Sequence, residues 1–174
     1  MKWILLSVAA LAGVALMVTL IGTVLPSDHV ASRETRLPVE SERVWAAITN
    51  AAAFPAWRSD VKRVERLPGN DGQTAWIEHT SSGRITLAAE RMEAPRLLVV
   101  RIADRDLPFG GTWTYEISPS STGCTLRITE HGEVYNPIFR FMSRFVLGHE
   151  KTIATYLGDL ERSLSAQAEQ PHGV

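Results

Sequence analysis

The sequence is poor in the residues that most often carry chemistry. Cys124 is the only cysteine, which excludes an intrachain disulfide and a thiolate metal cluster and leaves a buried thiol as the default reading. An excess of positive charge is also missing. The 18 lysines and arginines stand against 19 acids, a formal net charge of −1, so the chain has no basic stripe with which to neutralise phosphates and no nucleic-acid partner is expected. There is no G-x-S-x-G elbow, no P-loop and no dinucleotide-type glycine pattern. "HE" at 149 to 150 lacks the second histidine that a thermolysin-type zinc site needs four residues on, because Ile153 stands there. His29, His79, His131 and His172 are isolated along the chain. No metal and no cofactor is expected.

What is present begins with hydrophobicity. From Trp3 to Leu25 no residue carries a charge, and at about 1.5 Å per residue such a run crosses a hydrocarbon core of about 30 Å. It is longer than the apolar region of a cleavable signal, and Pro26, Asp28 and His29 leave no small-x-small site behind it, so an uncleaved anchor over 1–25 is the favoured reading. Trp3 is placed as an interfacial aromatic. Lys2 and the free amino terminus argue for a cytoplasmic start and Arg33 with Arg36 argue against it; an extracytoplasmic soluble domain is the expectation, since large domains cross largely regardless of charge.

A linker over 26–29 leads into a periodic region from residue 30. "VASRETRL" is extended and ends at Pro38. Ser41 is a suitable N-cap for an amphipathic helix carrying Val44, Trp45 and Ile48, and "AAAFPAW" predicts a short second helix ending at Pro55. Turn chemistry then recurs at "PGNDG", "SSG", "APR", "DLPFGG" and "PSSTG". Between the turns lie "VKRVERL", "QTAWIEHT", "RITLAAERM", "RLLVVRIA", "TWTYEIS" and "CTLRITEHG", rich in β-branched and aromatic residues and joined by loops short enough for antiparallel neighbours. Finally, Asn136 as N-cap with Pro137 at N1 opens one long helix with Ile138, Phe141, Met142, Phe145, His149, Ile153, Tyr156, Leu160 and Leu164 on one face. Residues 166–174 read as a flexible tail.

The order strand, two short helices, six-strand meander and long C-terminal helix, with the opening P-x-x-x-E-x-V-W from Pro38 to Trp45 and Trp57 closing "FPAW", resembles the START-like superfamily of polyketide cyclases, plant allergens and lipid-transfer domains. The resemblance covers residues 30–165. It implies an α+β helix-grip fold, a seven-stranded antiparallel sheet wrapped around the C-terminal helix, with a hydrophobic cavity between them; such domains bind sterols, lipids, polyketides or hormones, and only some do chemistry.

Strand alternation says which side chains would face such a cavity. Trp113, Tyr115 and Ile117 form one set, Leu98, Val100 and Ile102 another, and Ile85, Leu87 and Ala89 a third. In "CTLRITEHG" Leu126 and Ile128 point inward with Glu130 in phase, while Arg127, Thr129 and His131 point out. Gly132 is a possible bulge that leaves Glu133 open. Glu130 is either a ligand-orienting or proton-accepting carboxylate of raised pKa or a rim acid paired with an arginine such as Arg140 or Arg144. His149 is either a packed, hydrogen-bonded histidine or a ligand contact. Residues 137 to 147 are apolar nearly all round except for Arg140 and Arg144, which would suit a buried helix start or a helix at a membrane surface, with both arginines reaching for headgroups.

The leading expectation is therefore a membrane-anchored domain holding a hydrophobic small molecule or lipid against Leu98, Val100, Trp113, Tyr115, Ile128, Phe141, Phe145 and His149, with Glu130 as polar contact. A cyclase-like or aromatase-like enzyme using Glu130 with His149 or Tyr135 is the first alternative, and a membrane-tethered partner-binding module the second.

Overall fold

The computed structural model describes residues 1–68, 74–142, 144–145 and 151–169. Residues 69–73, which hold most of the "PGNDG" turn expected from the sequence, residues 143 and 146–150 with His149, and residues 170–174 lie outside the described residues, while residues 166–169 of the expected tail belong to the last helix. In chain order the elements are α1 (Lys2–Val24), β1 (Asp28–Leu37), α2 (Ser41–Thr49), a 3-10 turn (Ala51–Ala53), α3 (Phe54–Trp57), β2 (Val61–Leu67), β3 (Ala75–Thr80), β4 (Gly83–Glu93), β5 (Leu97–Ile102), β6 (Phe109–Ser120), β7 (Gly123–Val134), α4 (Pro137–Met142) and α5 (Lys151–Glu169).

All seven strands form one antiparallel sheet in the order β1-β7-β6-β5-β4-β3-β2. Short loops force each strand of the meander beside its predecessor; β1 instead joins the far end, against β7. The inner face alternates as expected. Leu98, Val100, Tyr115, Ile117, Leu126 and Ile128 are buried, and they pack with Ile153, Tyr156, Leu160 and Leu164 of α5 in one core. This is the helix-grip α+β architecture. Leu157 joins the same helix face. Polar clamps set the position of α5: Asp159, 2% exposed, accepts 2.7 Å hydrogen bonds from the Ser59 backbone N–H and hydroxyl, and Glu161 accepts from the Thr35 hydroxyl.

Several local expectations are corrected. Strand β1 starts at Asp28, not residue 30, because Asp28 and His29 pair with Glu133 and Gly132, which shortens the linker. Glu40, not Ser41, caps α2, and without a side-chain bond. Pro55 opens α3 instead of ending a helix; at the first turn its missing N–H removes no helical hydrogen bond. "FGG" is not a turn, since Phe109, Gly110 and Gly111 already pair with Val134, Glu133 and Gly132. Gly111 has φ +126°, and a Cβ there would sit 2.1 Å from the His131 carbonyl oxygen, so glycine is what lets β6 pass this close to β7. Gly132 makes no bulge: the register of β7 runs unshifted against both neighbours, and Glu133 points outward to accept a 2.7 Å bond from the Tyr135 hydroxyl.

The C-terminal apolar stripe divides between two environments. Its second half, in α5, is buried in the core. Its first half, in and just after α4, carries exposed Ile138, Met142 and Phe145 and packs on α1 instead. Asn136 does cap α4, its Oδ1 accepting from the Ile138 N–H at 2.9 Å.

Candidate functional site

The inner face of β6 and β7 carries the sequence-predicted carboxylate. Glu130 lies directly across from Trp113 in the β6–β7 register and across from Ala31 in β1, in phase with fully buried Leu126 and Ile128. Burial raises its pKa above the ordinary carboxylate value, against the opposing pull of the Trp113 indole N–H that donates to it. The other neighbour is His29, whose Nε2 is 3.7 Å from Glu130 Oε1. Gly132 faces His29 in register, and a Cβ there would fall 2.1 Å from the imidazole Cε1, so this glycine leaves the space that the ring occupies.

Deeper inside, Trp113 leads into an aromatic cluster centred on Tyr156 of α5. The rings of Trp57, Tyr115 and Trp113 lie 5.3, 5.6 and 5.9 Å from it, mostly edge to face. Tyr115 and Tyr156 share a hydroxyl hydrogen bond, and burial pushes both phenols above their ordinary value. The guanidinium carbon of Arg58 sits 5.2 Å from the Tyr156 ring centre and equally far from that of Phe54. Arg58 Nη1 also meets Glu78 Oε1 at 2.9 Å, an oxygen that Trp76 Nε1 reaches at the same distance. Two further bonds of 3.1 and 2.8 Å join Arg58 to Asp60. Burial works to lower the Arg58 pKa, but the Glu78 charge and the Asp60 hydrogen bond overcome it and hold the group charged. The buried indole Nε1 of Trp57 has no hydrogen-bond partner among the described residues.

At the end of the sheet, where β1 begins and β7 ends, a pocket of ≈ 220 Å³ is lined by residues 25–28, His29, Val134, Arg140 and Arg144. His29 thus stands between this pocket and Glu130. Among the described residues no three His, Cys, Asp or Glu side chains converge as a metal site.

The structure brings Leu98, Val100, Trp113, Tyr115, Ile128 and Glu130 to one face. Phe141 and Phe145 are not in that core: their rings are 4.9 Å apart, and Phe145 is 61% exposed. His149 lies outside the described residues. Tyr135, 51% exposed, is bonded to Glu133 and does not face Glu130. Arg140 is held back by the protein, donating to the Val134 and Tyr135 carbonyls at 2.7 and 3.3 Å, while Arg144 lines the pocket. Trp3 is exposed near the start of α1.

Sequence reasoning passed over His29, Trp57, Arg58 and Glu78. Alternation could have found Glu78, which shares a strand face with Trp76. Nothing local identifies His29, because its neighbour Glu130 is a hundred residues away.

A seven-stranded antiparallel sheet packed against a C-terminal helix is a START-like, helix-grip fold. The chain belongs to the family described as "Polyketide cyclase / dehydrase and lipid transport", which matches residues 28–165. Among solved structures it is similar to the Zhui aromatase/cyclase from a Streptomyces species (12% identity, TM-score 0.68, covering 84% of this chain and 99% of that one). It also resembles a norcoclaurine synthase from Thalictrum (11%, 0.65, 82% and 97%) and a START superfamily protein from Mycobacterium smegmatis (16%, 0.63, 80% and 99%). At such identities the likeness is one of fold. A comparison with curated proteins gives no match.

Burial of Glu130 has a measurable consequence. A carboxyl whose folded pKa is raised adds stability below its unfolded pKa and loses that contribution as pH rises through the folded value. Glu130→Gln is therefore expected to leave the unfolding midpoint unchanged at pH 4 and to raise it at pH 8, with the difference growing between; denaturant unfolding across that range measures it. An equal effect at both pH values would contradict a raised Glu130 pKa.

Proposed function

We propose that residues 30–165 bind a hydrophobic small molecule or lipid between the inner face of the sheet and the C-terminal helix, and that residues 1–25 tether this domain to a membrane. The observation that carries the reading is Glu130, a partly buried carboxyl held above its ordinary pKa, in phase with buried Leu126 and Ile128 and separate from the interior ion pair of Arg58 and Glu78. Burial of apolar surface supplies affinity, and one or two polar groups fix orientation. A protonated Glu130 donates to a ligand carbonyl or hydroxyl; an ionised one accepts. The family's own description joins cyclases and dehydrases with lipid transport, in keeping with a largely apolar ligand. For the tether, α1 has a window of mean hydropathy 2.7 with none of it buried inside the protein.

Native mass spectrometry of the full chain extracted in detergent is the test: a reproducible co-purified lipid or small molecule is expected, and a reproducibly empty protein counts against the reading. Trp57→Phe refines it. Because the Trp57 N–H is already buried without a partner, its removal costs the ligand-free protein no hydrogen bond, and any loss of stability reports only the smaller ring. If the ligand accepts from it, affinity falls roughly 3- to 10-fold, the worth of about one hydrogen bond.

A second reading, acid/base catalysis on the bound molecule, is favoured by His29 at 3.7 Å from Glu130. It assigns to His29 the part that the sequence offered to His149 or Tyr135. Turnover with a bell-shaped pH profile, lost in Glu130→Gln while binding persists, would support it.

A further inference from the structure

The exposed large apolar side chains among the described residues are concentrated, with only Val30 and Met92 standing apart. Outside α1, Ile138, Phe139, Met142 and Phe145 are 37–61% exposed and occupy one short stretch, with exposed Tyr135 just before it. A contiguous patch of this kind on a folded domain marks a binding surface. What surrounds it identifies the occupant. Helix α4 packs against α1, and the contact is backbone to backbone: Gly22 is buried, and a Cβ on it would fall 2.0 Å from the Pro137 carbonyl oxygen. Val18, Thr19, Ile21 and Leu25, on the same face of α1 or just beyond it, are partly covered. Glycine at such a crossing lets two helices approach more closely than the usual 8–10 Å or so between axes. On its other side α4 is tied to the end of β7 by Arg140, through the Val134 and Tyr135 carbonyls.

We infer that α4 is a membrane-docking element: clamped by Gly22 to the end of a spanning α1, it lies in the interface of the same bilayer with Ile138, Phe139, Met142 and Phe145 among the acyl chains. The inference rests on the tether proposed above. It follows from lengths and contacts, because only three residues separate α1 from β1, and a helix in contact with the last turns of a spanning helix is at headgroup level. An apolar helix face there enters about 5–10 Å into the boundary between headgroups and acyl chains. The tyrosine is of the type that settles at that boundary. Arg144, exposed and on the wall of the ≈ 220 Å³ pocket beside the linker, is then at the level of the headgroups. Docking in this way holds the pocket, and His29 and Glu130 behind it, at the membrane surface.

The test uses the full chain with Cys124→Ser, reconstituted in vesicles of phosphatidylcholine and phosphatidylglycerol. An environment-sensitive fluorophore is placed in turn at Leu11→Cys, Phe139→Cys and Thr122→Cys, the last on the exposed hairpin between β6 and β7. Quenching by lipid nitroxides is expected deep in the acyl chains for position 11, just below the headgroups for position 139 and not at all for position 122. Adding Gly22→Leu is expected to abolish the quenching at 139 and leave that at 11 intact. If 139 is quenched by aqueous iodide as readily as 122 while 11 remains in the membrane, the docking of α4 is wrong and the tether survives. If 11 is itself unquenched by lipid nitroxides, the tether fails and the inference with it. Neither result bears on ligand binding inside the domain, which the co-purification measurement decides separately.

Discussion

Arg58→Ala is expected to lower the unfolding free energy by about 3–5 kcal/mol, the usual consequence of removing one partner from a buried ion pair. Glu78 is 3% exposed, and without Arg58 its buried carboxylate would keep only the Trp76 N–H on Oε1. The guanidinium also bridges Phe54 and Tyr156 and holds Asp60 at two points, so the substitution loosens α3, β2 and β3 together. Denaturant unfolding of the full chain in detergent reads this as a lower midpoint with an unchanged slope. A matched replacement of both partners by apolar residues, Arg58→Met with Glu78→Leu, is expected to recover much of the loss, since it leaves no buried charge unpaired. A single-variant loss under about 1 kcal/mol would mean that Glu78 finds water, and that the inner face is wetter than its packing indicates.

Tyr156→Ala is expected to cost about 3–5 kcal/mol, as large-to-small aromatic changes in a core do. Tyr156 is 4% exposed, and three aromatic rings and Arg58 converge on it; truncation leaves a void that the neighbouring strands cannot close because α5 is fixed by Asp159 and Glu161. Tyr156→Phe removes only the hydroxyl bond with Tyr115 and is expected to cost about 1 kcal/mol. The same unfolding assay separates the two variants. Because Arg58 lies over the Tyr156 ring, the two alanine substitutions will not add; a double-mutant cycle should give a coupling of roughly 0.5–3 kcal/mol. Strict additivity would show that the ring and the guanidinium act independently.

Both variants bear on the proposed ligand binding, because the aromatic cluster links the buried ion pair to Glu130 through Trp113. A ligand held against the inner face would rest on this cluster. Its rigidity would then set how well Glu130 and the Trp57 N–H are placed for hydrogen bonding.

The inner-face assignment of Glu130 was legible because β7 alternates without interruption and one face of the sheet is apolar; a one-residue slip would expose Leu126 and Ile128. The extension of β6 through "FGG" was not legible, since two glycines ordinarily signal a turn and only the close passage of the β7 backbone explains them. The first half of the C-terminal stripe was misplaced for a similar reason. Ile138, Met142 and Phe145 keep helical spacing, but periodicity says that a face is apolar and not what covers it, and here the neighbour is α1.

By itself, then, the sequence determined the apolar span from Trp3 to Leu25, the meander, the apolar face of α5 and the inward phase of Glu130, all of which depend on composition, periodicity and turn chemistry within a few residues. Only the tertiary structure decided that His29 faces Glu130, that Arg58 and Glu78 share an interior ion pair, and that Gly22 seats α4 on α1. Each of these joins residues far apart in the chain, through strand register, buried charge or backbone contact, and no local pattern encodes which distant partner the folded chain brings near.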